Sequence, residues 1–135
     1  MVRIAFGLFL VLHGLVHLLY FGQSARYFEL QAGLAWPDGS WAFSRLLDGG
    51  ATRMLASSLL ILAAIGFATA GIGVFFRQAW FRPVIVGAAA FSTLIYILFW
   101  DGGWQKMDGK GGVGILINLA IMAVVLIFQW PNIDA

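Results

Sequence analysis

The apolar residues of the chain fall into four long runs separated by polar or glycine-rich connections. The runs cover residues 2–21, 51–76, 83–100 and 113–130, and charged side chains are nearly confined to their ends. A helix needs about 20 predominantly apolar residues to cross a bilayer, and each run comes close to or exceeds that length. The pattern therefore predicts an all-α integral membrane protein, an up-and-down four-helix bundle in which residues 1–135 form a single transmembrane domain.

The longest connection, residues 22–50, mixes charged and apolar side chains. Residues 36–39, with the sequence Trp-Pro-Asp-Gly, have the composition of a tight turn. The segments on either side, residues 25–30 and 41–47, are amphipathic and contain aromatic side chains. We therefore expect two short helices at the membrane interface, one on each side of the turn.

Composition supports a membrane location. Apolar residues make up 61% of the chain and charged residues 10%, whereas soluble domains contain about 25% charged residues. The net charge of +2 is small and scattered, which argues against nucleic acid as a partner. Cysteine is absent, so disulfides and thiolate metal sites are excluded. The expected partners are the lipid bilayer and other membrane subunits or further copies of the chain.

With four spans, both termini lie on one side of the membrane, together with Arg3, Arg77 and Arg82. The basic residues of the other side are Arg26, Arg45, Arg53, Lys106 and Lys110. A raw count of basic residues favours the opposite orientation, because the positive-inside rule gives acidic residues little weight. The basic density of the short connection between the second and third helices favours cytoplasmic termini, and that orientation is our expectation.

Polar residues converge in one half of the predicted bundle. His13 and His17 lie four residues apart, so they share a helix face. When the four spans are set at equal depth, Ser57, Tyr96 and Asn118 fall within about 12 Å of the same interface. Polar side chains at membrane depth are costly and face protein, a ligand or water. These five residues therefore form a predicted polar or ligand-binding cluster.

The mouth of this cluster is predicted to contain Arg53, Trp100 and Asp101. All three lie at helix ends on the side towards which the histidines are displaced. We expect the Asp101 carboxylate to pair with Arg53 or Lys106.

Several interpretations of the two histidines remain open. A neutral histidine can be satisfied by a serine, an asparagine or a backbone carbonyl of a neighbouring helix. The alternatives are binding of a haem, a quinone or a similar ligand, a proton or ion pathway, and metal ligation with a third ligand. Histidines at i and i+4 suit a metal, but no carboxylate lies at membrane depth, so we assign neither metal ligands nor catalytic residues.

Three short motifs carry a resemblance to known proteins. They are His13-Gly-Leu-Val-His17-Leu, Phe99-Trp100-Asp101 and the Gly114-x-x-x-Asn118 pair. With them the chain resembles small uncharacterised four-span membrane proteins of bacteria and archaea, distantly similar to the DoxX-like superfamily. The resemblance implies a four-helix membrane bundle in a prokaryotic cytoplasmic membrane, and DoxX relatives are associated with quinol-linked redox complexes. The long connections at residues 22–50 and 102–112 depart from the usual short form and suggest a partner on that face.

The sequence therefore favours an accessory or small-molecule-binding subunit of a membrane assembly over an enzyme. One alternative is a quinone- or haem-linked redox component that uses His13 and His17. Another is a minimal oligomeric transporter or channel.

Overall fold

The computed structural model describes residues 1–132, which contain four α-helices, one short 3₁₀ helix and no β-strand. The elements are α1 (Val2–Ser24), α2 (Gly49–Phe75), α3 (Phe81–Leu98), the 3₁₀ helix (Met107–Lys110) and α4 (Gly112–Leu126). The prediction of an all-helical chain is confirmed. By length and composition, α1, α2 and α3 could each cross a membrane, whereas α4 is a shorter apolar helix.

The helix ends differ from the predicted ones at two places that matter for packing. α1 continues past Gly22 to Ser24 instead of ending at Phe21. Gly22 is needed there for close approach, because a Cβ atom would lie 2.3 Å from the Phe28 ring. α4 ends at Leu126, four residues before the predicted end, and its 15 residues extend about 22 Å.

α1 and α2 run antiparallel and pack closely along most of their length. At one end, Arg3 Nη1 donates to the carbonyls of Val74 and Phe75, at 2.9 and 2.5 Å, and so satisfies the last turn of α2. About one turn further along from this end, Gly7 and Gly71 bring the two backbones together. A Cβ on Gly71 would lie 2.8 Å from the Gly7 carbonyl oxygen, so a larger residue would force the helices apart.

The remaining helices continue the up-and-down order, with α3 against α2 and α4 against α3. Phe67 of α2, Ile85 of α3 and Ile121 of α4 belong to one buried apolar cluster between the helices. α4 meets α1 mainly through side chains, including an edge-to-face contact between Trp130, just beyond α4, and Phe6. A groove therefore remains between α1 and α4 on the outside of the bundle.

The prediction of short helices in the first connection is wrong, because residues 25–48 form turns and bends instead. The second of the predicted segments is held by the Trp41 N–H, which donates to the Trp100 carbonyl, and the earlier part of the connection is held by the buried side chain of Gln23. Its amide nitrogen donates to the carbonyls of Leu34 and Trp36, and its oxygen accepts the Leu30 N–H. These bonds satisfy backbone groups that a helix would otherwise have to pair internally. The amphipathic segments consequently pack onto the helix ends as a series of turns.

The prediction that Asp101 pairs with Arg53 or Lys106 is also wrong. Lys110 Nζ lies 2.9 Å from Asp101 Oδ1, and the lysine side chain is only 7% exposed. Arg53 instead pairs with Asp38 at 3.1 Å, and Lys106 donates to a backbone carbonyl of the first connection. Because Lys110 is the more buried cation, it has the greater need of a counter-charge.

Candidate functional site

The imidazoles of His13 and His17 are buried between the helices, with 5% and 1% of their residue surfaces exposed. Their i, i+4 spacing on α1 places one ring above the other, and the ring centroids are 5.1 Å apart in an edge-to-face arrangement. Phe67 of α2 contacts both rings, at centroid distances of 4.7 and 5.1 Å. Phe67 offers the imidazole nitrogens no hydrogen-bond partner. Their partners on neighbouring helices come from α3 and α4.

A closed series of hydrogen bonds satisfies those edges. His13 Nε2 lies 2.9 Å from Asn118 Oδ1, and Asn118 Nδ2 lies 2.9 Å from Ser92 Oγ. Ser92 Oγ in turn lies 2.6 Å from His17 Nε2, and His17 Nδ1 lies 2.9 Å from the backbone oxygen of His13. We call these four residues the polar ring, and it joins α1, α3 and α4.

The direction of every bond in the polar ring follows from its one obligate acceptor. The carbonyl of His13 can only accept, so His17 Nδ1 must carry a proton. A neutral His17 then has an acceptor at Nε2, which receives the Ser92 hydroxyl proton. Ser92 Oγ accepts from the Asn118 amide, whose oxygen accepts from a protonated His13 Nε2. The polar ring is therefore complete with two neutral imidazoles of opposite tautomers and no formal charge.

Thr93 fixes the orientation of the Asn118 amide. Its hydroxyl donates to the backbone oxygen of Ala89 at 2.8 Å, so its oxygen is left to accept. Asn118 Nδ2 lies 3.3 Å from that oxygen. If the amide were turned over, two acceptors would face each other at this contact and His17 Nε2 would lose its donor. The orientation with nitrogen towards α3 and oxygen towards α1 is thus the one that satisfies every partner.

The polar ring leaves one nitrogen over. Both nitrogens of His17 are engaged, so this side chain could not bind a metal or haem iron without losing a hydrogen bond. His13 takes part in the polar ring through Nε2, so its Nδ1 is the one imidazole nitrogen of the pair that the polar ring does not use. Two axial histidines for a haem do not fit this arrangement. Only His13 Nδ1 could hold a ligand while the polar ring stays intact.

Tyr96 lies beside the polar ring and links it to the connections at the same end of the bundle. Its ring stacks on His17 at 5.9 Å and meets Tyr20 edge to face at 5.1 Å. Gly111, with a φ of +93°, packs directly on it, and a Cβ there would lie 2.1 Å from the Tyr96 ring. This position consequently requires glycine both for its backbone conformation and for the space that Tyr96 occupies.

Ser57 and the three predicted mouth residues do not join the polar ring. The Ser57 hydroxyl donates to Ser24, at 2.9 Å, which links α2 to the end of α1. Arg53 pairs with Asp38, and the Trp100 indole N–H donates to the Gly103 carbonyl at 2.8 Å. All four stabilise the connections at this end of the bundle.

The Asp101 carboxylate at this end of the bundle accepts hydrogen bonds from the Gly103 N–H and from the Lys110 ammonium. Partial burial alone would raise its pKa. The Gly103 N–H and the Lys110 ammonium outweigh that effect, so the pKa of Asp101 lies below its ordinary value of 3.8. The ion pair with Lys110 is therefore fully formed at neutral pH.

Ser92 is the member of the polar ring that sequence reasoning missed. It stands in the third apolar run, where serine is common as a small packing residue, and so did not stand out. Ser92 lies four residues before Tyr96 and therefore on the same helix face, and this spacing is a signal that could have identified it.

Within residues 1–132, no group of three or more His, Cys, Asp or Glu side chains is arranged to hold a metal ion. No protein-family model, curated protein or solved structure matches the chain. The function of the protein is therefore inferred from the chemistry of the described residues.

Proposed function

We propose that the protein is an integral membrane protein, an up-and-down four-helix bundle that acts as an accessory subunit of a membrane assembly. Three long apolar helices support the membrane location. Large apolar side chains are exposed along the outside of the helices, as lipid contact requires, among them Leu8, Leu12, Leu15, Leu62, Ile65, Leu94 and Leu116. The resemblance to DoxX-like proteins and the prokaryotic cytoplasmic membrane remain part of this proposal.

The observation that carries the accessory role is the closed polar ring. A catalytic group needs a free donor, acceptor or nucleophile directed at a substrate. In the polar ring, the hydrogen-bonding atoms of His17, Ser92 and Asn118 bind one another, which favours a structural clamp between three helices. A protein whose buried polar residues are used for its own packing is better suited to support a partner than to perform a reaction.

The partner is expected at the end of the bundle that carries the two long connections. Apolar side chains of these connections remain largely exposed, including Tyr27, Trp41, Leu46 and Trp104. Trp104 is 77% exposed and Leu46 is 79% exposed, and exposed aromatic and aliphatic side chains are common at protein interfaces. This face is therefore the proposed subunit contact.

Separation of native membranes in a mild detergent tests the accessory role. The protein should migrate in an assembly that contains other polypeptides and is heavier than its own oligomers. Trp104→Ser combined with Leu46→Ser should release it as a folded monomer. Phe128→Ser, which changes an equally exposed aromatic residue at the opposite end, should leave it in the assembly. Migration of the wild type only as monomer or homo-oligomer would contradict the proposal.

A second candidate function, a quinone- or haem-linked redox component, is favoured by His13 Nδ1, the imidazole nitrogen that the polar ring does not use. A quinol hydroxyl could donate to this nitrogen, or a haem iron could bind it, without breaking the polar ring. A visible spectrum of protein purified with haem, and quinone content after extraction, test this function. Occupancy that is lost in His13→Ala and retained in Ser57→Ala, which changes a buried polar residue outside the polar ring, would support it, and absence of both cofactors would exclude it. The transporter alternative stays a prediction, which native mass spectrometry tests through the oligomeric state.

A further inference from the structure

The two ends of the bundle differ in how their charges are paired. The end with the long connections has three ion pairs, Arg26–Asp38, Arg53–Asp38 and Lys110–Asp101. The opposite end carries Arg3, Arg77 and Arg82, and among residues 1–132 none of the three is paired with a carboxylate. Within residues 1–132, the charge of this second end is therefore cationic and is not balanced by an acidic side chain.

Two of these arginines line one cleft. It has a volume of about 350 Å³ and is lined by Met1, Val2, Arg3, Arg77, Trp130, Pro131 and Asn132. Arg3 is held in place through Nη1, which binds the last carbonyls of α2. Arg77 follows α2 directly and is exposed. The cleft thus combines an anchored and an exposed guanidinium with largely apolar walls.

The cleft adjoins the groove between α1 and α4, because Trp130 lines both. The groove has a volume of about 240 Å³ and its lining side chains are all aliphatic or aromatic: Phe6, Phe9, Ile117, Ala120, Ile121, Val124 and Trp130. It runs along the helices from the cationic cleft towards the level of the polar ring. The cationic cleft is thus large enough for a lipid headgroup, and it adjoins a groove lined by apolar side chains.

We infer that this end of the protein binds an anionic phospholipid, with its phosphate between Arg3 and Arg77 and one acyl chain in the groove between α1 and α4. Charge complementarity selects this occupant: guanidinium groups bind phosphate oxygens well, and the apolar groove excludes a polar ligand. A second copy of this chain would bring the same three arginines to the contact, and their repulsion disfavours it. The inference needs the proposed membrane location but not the accessory role.

Native mass spectrometry of delipidated protein in detergent, titrated with single lipids, tests the headgroup site. Dioleoyl-phosphatidylglycerol should bind more tightly than dioleoyl-phosphatidylcholine, and excess sodium chloride should reduce the difference. Arg77→Gln should weaken phosphatidylglycerol binding about fivefold, as expected for one basic residue near an anionic headgroup. It should weaken phosphatidylcholine binding less, because the choline cation already offsets the phosphate charge. Arg45→Gln, an exposed arginine at the opposite end, is the matched control and should have no effect.

A second pair of variants tests the acyl-chain groove. Ala120→Phe should fill the groove and weaken binding of both dioleoyl lipids, whereas Leu119→Phe, at the adjacent exposed position outside the groove, should not. Melting temperatures of all variants show whether each remains folded. Equal binding of the two lipids by the wild type, or an equal loss in Arg45→Gln and Arg77→Gln, would overturn the inference. Displacement of the lipid by inorganic phosphate, or equally tight binding of a short-chain lipid, would also overturn it, because the site would then recognise only the anion.

A water-soluble protein that needs no detergent would contradict the membrane location itself. Failure of the lipid site alone would leave the proposed function untouched.

Discussion

At the scale of single residues, the side chain of Asn118 joins α4 to two other helices. It binds His13 on α1 and both Ser92 and Thr93 on α3. Interhelical hydrogen bonds in membranes contribute on average about 0.6 kcal/mol each, because separated helices also find partners. Three such bonds from one amide make Asn118 the main polar link of α4 to the rest of the bundle.

We therefore expect Asn118→Leu to lower the free energy of unfolding by about 1–2 kcal/mol, the sum of three average interhelical bonds. Unfolding in mixed micelles at increasing denaturing detergent measures this change. Ser58→Ala is the control, because Ser58 is exposed and binds only the backbone of its own helix. An unchanged stability in Asn118→Leu would mean that the polar ring adds nothing to packing.

The polar ring also predicts the tautomers of its two histidines. His17 should carry its proton on Nδ1 and His13 on Nε2, because the His13 carbonyl can only accept. Solid-state ¹⁵N NMR of histidine-labelled protein in lipid distinguishes the two forms. In Ser92→Ala, the His17 Nε2 atom loses its donor and its resonance should shift, while the His13 resonances move less. The same tautomer on both histidines would contradict the direction of the ring.

How much of this site the sequence could predict depends on how unusual each residue is in its setting. Histidine and asparagine are rare at membrane depth, so His13, His17 and Asn118 could be identified from their surroundings alone. The sequence does not show whether Ser92 or Ser57 binds the histidines, because serine is equally common as a small packing residue. The rotation of each helix about its axis decides which serine faces them.

At the scale of elements, the first connection shows where the periodic pattern misleads. The alternation of apolar and polar residues in 25–30 and 41–47 matches a surface helix, yet the segments form turns. The Trp41 N–H donates to the Trp100 carbonyl, and the side chain of the buried Gln23 makes three hydrogen bonds to the backbone of residues 30–36. Such a contact depends on the end of α1 coming close to a segment that lies 7 to 13 residues away, which local periodicity does not contain.

Gln23→Leu should therefore loosen the first connection without unfolding the helices. The substitution leaves the Leu34 carbonyl and the Leu30 N–H without their partner and leaves the Trp36 carbonyl only the longer bond from Arg26, so the amides of residues 30–36 should exchange hydrogen faster. Hydrogen–deuterium exchange of the protein in nanodiscs measures this effect. Gln78→Leu changes an exposed glutamine at the opposite end and should leave the exchange of this connection unchanged.

The second connection depends on the Asp101–Lys110 pair in a pH-dependent way. The folded-state pKa of Asp101 is lowered, so the pair stabilises the fold above the ordinary value of 3.8 and is lost as the pH falls through the lowered pKa. Asp101→Ala should cost about 1–2 kcal/mol at neutral pH, because the buried Lys110 loses its counter-charge. Melting temperatures from pH 7 down to the acid range should decline less in the variant than in the wild type. A parallel decline would show that other groups dominate.

At the scale of the whole molecule, the apolar pattern predicts the helical class well because burial in hydrocarbon allows few other backbone structures. The relation of the fourth helix to the membrane is less regular. α4 is about 22 Å long, shorter than a hydrocarbon core of about 30 Å. Ile127, Phe128 and Trp130 continue the apolar stretch as irregular chain, and all three are exposed. No periodicity signal marks the point at which such a stretch stops being helical.

The arginines at the end where α1 begins and α4 ends predict the orientation of the molecule. Arg3, Arg77 and Arg82 favour the cytoplasmic side, since basic residues near span ends are retained there. A fluorescent protein fused to the C-terminus should fold and fluoresce, and a periplasmic phosphatase at the same place should be inactive. Replacement of Arg77 and Arg82 together by glutamine should produce a mixture of orientations. Phosphatase activity in the unsubstituted fusion would reverse the assignment.

The closed polar ring also has a consequence for the synthesis of the protein. His13 and Asn118 are 105 residues apart, so α1 enters the membrane long before the residue that satisfies its histidine has been made. During that interval both imidazoles need other partners, such as water or the polar groups of the insertion machinery. We expect nascent chains to stay bound to that machinery until α4 emerges. A chain that stops after α3 should accumulate there or be degraded, because the partner of His13 is then missing.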